Sequence, residues 1–62
     1  MTNNHDDNFA EKLRRLRIAE GYTQQELARR VNLSRSCIAN YEAGKRTPAR
    51  EIKEYISDFF QV

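Results

Sequence analysis

Cysteine, histidine, proline and glycine are all scarce in this sequence of 62 residues, and each scarcity closes off a class of protein. A single cysteine, Cys37, cannot form an internal disulfide, which fits a reducing cytoplasm. One cysteine and one histidine (His5) cannot build a structural zinc site, so neither a metal nor a cofactor is expected. No apolar run approaches the roughly twenty residues that cross a bilayer. The opening MTNNHDDN is polar and acidic, which argues against a signal peptide. An enzyme is not expected: there is no glycine loop to cradle phosphate, no metal-ligand cluster and no nucleophile beside a usable histidine. Alternating strand patterns, repeats, linkers and low-complexity segments are also missing.

What is present is punctuation for helices. Gly21 follows FAEKLRRLRIAE and Gly44 follows RSCIANYEA, each where a left-handed helix cap belongs. Thr23 with Glu26 forms a capping-box pattern, and Ser34 can cap the helix after it. Asn8, with Glu11 three residues on, is the expected cap of the first helix. Thr47 and Pro48 read as N-cap and first residue of the last helix. The expected architecture is all-α, a compact bundle of four to five short helices over residues 8–62, preceded by a flexible tail over residues 1–7.

Helical periodicity assigns faces to these elements. Phe9, Leu13 and Leu16 share one face of the first helix, with Arg17 on its flank and Ile18 outside. Leu27, Ala28 and Val31 share a face of the second, and Asn32 supplies a residue that tolerates a left-handed turn. Leu33 is expected to tuck into the core after that turn. The third helix divides into an inward arc of Cys37, Ile38, Tyr41 and Glu42 and an outward arc of Arg35, Ser36, Ala39, Asn40 and Ala43. The outward arc lacks large apolar groups. Cys37 on the inward arc reads as a small core residue. The last helix gathers Ile52, Tyr55, Ile56, Phe59, Phe60 and Val62 into a stripe wider than a small core needs. Tyr55, Phe59, Phe60 and Val62 are therefore candidates for an interface, most simply with a second copy of the chain.

The net charge is only +2, but it is unevenly placed. Residues 11–50 hold ten Lys or Arg against four Asp or Glu, a net of +6, while the segments on either side are each −2. A basic middle suits a polyanionic partner, although a solvated arginine-rich surface has the same composition.

Taken together, LRRLR before Gly21, then TQQELA, then NLSRSCIANYEAGKRTP resemble the phage repressor and Cro-type (XRE-like) helix-turn-helix family over about residues 9–56. The resemblance implies a bundle of five short helices that binds double-stranded DNA as a homodimer. Thr23–Val31 would position the domain and Ser34–Ala43 would enter the major groove. By the same resemblance, Arg35, Ser36 and Asn40 match positions that reach base edges. Gln24 matches a phosphate-contacting glutamine, and Ser34, Lys45 and Arg46 match positions near the DNA backbone. Arg17 and Glu42 match a partly buried ion pair. The sequence departs from the family at position 32, which is usually glycine and is asparagine here. It also stops near where a fifth helix would begin. Either FFQV supplies a vestige of that helix or the sequence is a piece of a longer chain.

The chemistry of these residues suits the roles. An arginine in the first turn of a recognition helix can pair bidentately with guanine O6 and N7, worth about 1–3 kcal/mol of discrimination. Asn40 can pair with adenine or meet the backbone, and Ala39 offers a methyl to thymine. Each also has a plainer reading: a solvated arginine, a helix former that makes room, or for Gln24 a hydrogen bond within the protein. The leading expectation is a cytoplasmic, nucleoid-associated repressor that binds a palindromic operator. The alternative is a protein-interaction module, or an antitoxin or controller with a protein partner, that keeps the fold and uses the apolar face of the last helix.

Overall fold

The computed structural model describes residues 5–61, with side chains from residue 9 onward. Four helices follow one another: α1 (His5–Ala19), α2 (Gln24–Arg30), α3 (Arg35–Glu42) and α4 (Arg50–Phe60). No strand occurs among the described residues. The expected all-α bundle is therefore what forms.

One device ends the first three helices. After α1, Gly21 takes φ +80, its N–H donates to the Ile18 carbonyl at 3.0 Å, and the Tyr22 N–H reaches back to Arg17 O at 3.0 Å. After α2, Asn32 takes φ 58, with Asn32 N–H on Arg29 O and Leu33 N–H on Ala28 O. After α3, Gly44 takes φ +75, with its own N–H on Tyr41 O and Lys45 N–H on Asn40 O. These paired bonds are the Schellman pattern, which satisfies carbonyls that a helix end would leave open. A Cβ added at Gly21 or Gly44 would meet nothing within 4 Å, so the backbone angle alone favours glycine there.

Helix starts are less uniform. Thr23 and Glu26 form a full capping box, with both hydrogen bonds at 2.9–3.0 Å. Ser34 Oγ accepts the Cys37 N–H at 3.1 Å. The expected starts of α1 and α4 need correction. The first helix begins at His5, so Asn8 lies inside it and is not its cap. At α4, Pro48 is buried and the chain stays extended through Ala49 (φ −62, ψ 159), so the helix starts at Arg50 with no side-chain cap. Residues 1–4 of the expected tail, and Val62, lie outside the described residues.

The core joins all four helices: Leu13, Leu27, Ala28, Val31, Ile38, Tyr41 and Ile56, each 6% exposed or less. Phe9, Tyr22, Leu33, Cys37, Ile52, Phe59 and Phe60 pack against it from the margin. Ala10 is buried where periodicity named Leu16, which is only half-buried. Ala28 at the α2–α3 contact is small enough to let α3 cross closely. Ile18 stands 59% exposed on the outer face of α1.

Candidate nucleic-acid interface

The tight turn at Asn32 sets α3 against α2, and α1 braces α3 from the other side. A single polar node fixes that bracing. Arg17 Nε donates to Glu42 Oε2 at 2.6 Å and its Nη2 to Glu42 Oε1 at 3.0 Å, a two-pronged pair. Arg17 Nη1 donates to the Tyr22 carbonyl at 2.9 Å, and Gln24 Nε2 donates to Glu42 Oε1 at 3.1 Å. The Arg17 and Glu42 side chains are 13% and 4% exposed. One carboxylate on α3 thus gathers α1, the loop after it and the first residue of α2.

This node engages a residue expected elsewhere. The Gln24 amide, matched by resemblance to a phosphate contact, has one N–H turned inward onto Glu42. The Ser34 hydroxyl is likewise engaged as the α3 cap. Each keeps further hydrogen-bonding capacity, since an amide has two donors and a hydroxyl can still donate.

The outward arc of α3 is open. Arg35, Ser36 and Ala43 are exposed, while Ala39 and Asn40 are half-buried. Lys45 and Arg46 are exposed in the turn that follows. The side chains of Arg35, Lys45 and Arg46 make no hydrogen bond or ion pair among the described residues. Three cations therefore stand unmatched at the two ends of one short helix.

The inward arc is fixed by packing. Ile38 is fully buried and Tyr41 nearly so. Burial pushes the Tyr41 phenol above its ordinary value, neighbouring Cys37 raises it further, and Arg46 draws it partly back. Tyr41 therefore stays neutral at ordinary pH. Cys37 is half-buried and free.

Two interface candidates of α4, Phe59 and Phe60, lie beside Tyr22. Phe59 leans on Tyr22 with ring centroids 6.1 Å apart, and Phe60 meets Phe59 edge-on at 5.1 Å. Arg30 lies 5.1 Å over the Tyr22 ring. Ile52, Ile56, Phe59 and Phe60 of the apolar stripe are thus committed within the chain, and Tyr55, 46% exposed, is its open member among the described residues. Tyr22 was not singled out by the sequence; its position directly after a helix-ending glycine was the available signal.

A model of the family described as "Helix-turn-helix domain" matches residues 8–62. The chain belongs to this helix-turn-helix family, in its XRE-like type. A relative in the family, the HTH-type transcriptional activator BcrR of Enterococcus faecalis, is 43% identical over 54 residues. That match covers 87% of this chain and 26% of BcrR, so the chain spans about a quarter of that relative's length. No solved structure matches the chain. Within this helix-turn-helix domain, α2 and α3 are the two helices of the motif, and no described helix is long and apolar enough to cross a membrane.

Proposed function

We propose that this helix-turn-helix domain is a sequence-specific DNA-binding transcriptional regulator that reads a palindromic operator as a homodimer. The observation that carries this reading is α3 itself: anchored along one arc, it holds Arg35 and Ser36 free at its outer face, with Lys45 and Arg46 free just beyond. A recognition helix meets base edges through its first turn. Arg35, Ser36, Ala39 and Asn40 are assigned to the bases, with Arg35 reading guanine. Lys45, Arg46, Gln24 and Ser34 are assigned to phosphates, Gln24 through the amide hydrogen that Glu42 leaves free. Two copies would place their recognition helices in successive major grooves, about 34 Å apart.

The sign of regulation follows from where the operator lies. A domain that occupies a promoter excludes polymerase and represses, and repression is the proposed mode. BcrR is named an activator, and an operator beside the promoter would allow that mode too.

Selection of bound duplexes from a random library, at two salt concentrations, tests the proposal. An inverted repeat should emerge, with affinity falling steeply as salt rises. Arg35→Ala should then cost about 1–3 kcal/mol on the selected duplex and relax preference at one base pair per half-site. Absence of any enriched sequence would sink the reading. It would favour instead a protein-interaction module built on α4, for which exposed Tyr55 is the supporting observation.

A further inference from the structure

A shallow depression of about 320 Å³ opens where α1, α2 and α3 meet, lined by Arg14, Arg17, Gln24, Ala39, Glu42 and Ala43. Its charges do not cancel. The Glu42 carboxylate is matched inside the protein, by two N–H groups of Arg17 and one of Gln24. Arg14 is left over. Its side chain is exposed and makes no hydrogen bond or ion pair among the described residues. Two cations against one carboxylate leave the depression with a net charge of +1.

Its donors are also in surplus. A guanidinium carries five N–H groups and no acceptor. Arg17 uses three of them, on Glu42 and on the Tyr22 carbonyl, and Arg14 uses none. Gln24 keeps one amide hydrogen. Ala39 and Ala43 line the remaining side with methyl groups alone, so nothing large bars an approaching anion. Gln24 and Ala39 belong to the face assigned above to DNA, which puts Arg14 on the rim of that same face.

We infer that Arg14 holds a phosphate of the DNA backbone over this depression, so that the DNA face extends beyond the two motif helices onto α1. The inference rests on the DNA-binding reading and adds to it a contact from a third helix. Arg14 lies three residues before Arg17 and shares its side of α1. Arg15 is turned about 100° away and does not line the depression. Arg14 and Arg15 thus carry equal charge on different faces of one helix.

That pair supplies the experiment. Binding to the selected operator is titrated from 50 to 200 mM salt for the wild type, Arg14→Gln and Arg15→Gln. Loss of one phosphate contact lowers the salt slope by about 0.9, so the wild type should lose about 3.5-fold more affinity than Arg14→Gln across that range. The Arg14→Gln loss should be uniform across operator variants, and Arg15→Gln should keep the wild-type slope. Arg14→Lys, which retains a cation, should keep most of the slope. Ethylation of one backbone phosphate should weaken the wild type and leave Arg14→Gln unaffected. An unchanged slope for Arg14→Gln, or equal slopes for the two Gln variants, would overturn the inference while leaving the DNA-binding reading intact. Failure of the wild type to bind any duplex would overturn both.

Discussion

Glu42 accepts three hydrogen bonds from two side chains, and Arg17 delivers two of them while also holding the Tyr22 carbonyl. Removing the carboxylate leaves a largely buried guanidinium with one partner. Breaking such a pair from one side costs about 3 kcal/mol, more than the intact pair contributes against its own desolvation. Glu42→Ala should therefore lower Tm by more than about 10 °C in a domain this small. Its affinity for DNA should fall only as far as the fold loosens. Replacing both partners with apolar residues, Arg17→Met with Glu42→Leu, should restore most of the lost stability. A Glu42→Ala protein that melts with the wild type would show that the node is ornamental to the fold.

At the scale of the element, the capping box of α2 carries a pH signature. The Thr23 backbone N–H donates to the Glu26 carboxylate and holds it below its usual range, helped by Arg30 and Arg29. A carboxylate lowered on folding adds stability above its ordinary range and loses it as pH falls through the lowered value. The stability gap between wild type and Glu26→Ala, read from urea midpoints, should be full at neutral pH and close in acid. A gap that ignores pH would contradict the assignment. Helix ends of this kind were legible because their chemistry is local: Gly21, Gly44, Asn32, Thr23 and Ser34 each act within a few residues of themselves. The starts of α1 and α4 were not. Ala49 offers no capping side chain to read, and Pro48 is placed by burial, which is a tertiary matter. The candidate site divides in the same way. The inward and outward arcs of α3 followed from periodicity. The capture of Gln24 by Glu42, eighteen residues away in sequence, depends on how α2 and α3 cross.

At the scale of the whole molecule, a chain of 62 residues buries few side chains completely, so folding stability is modest and partners matter. On the homodimer proposed above, the face of α4 is where the second copy would add most. Tyr55 is exposed there and bears no part of the core. Tyr55→Glu should leave the monomer folded and should weaken binding to an inverted repeat far more than to a single half-site. The comparison of those two affinities isolates the dimer contribution, and equal losses on both duplexes would place the dimer contact elsewhere.

The two arcs of α3 share no side chains. Ile38 and Tyr41 answer to the core, while the side chains of Arg35 and Ser36 are exposed and make no hydrogen bond or ion pair among the described residues. If α3 reads DNA as proposed, its outer surface is a replaceable cartridge in a fixed housing. On the proposed reading, substitutions at positions 35 and 36 would retarget the domain without asking the scaffold to be rebuilt, whereas half-buried Ala39 and Asn40 mark the edge where such rewriting begins to disturb the mount.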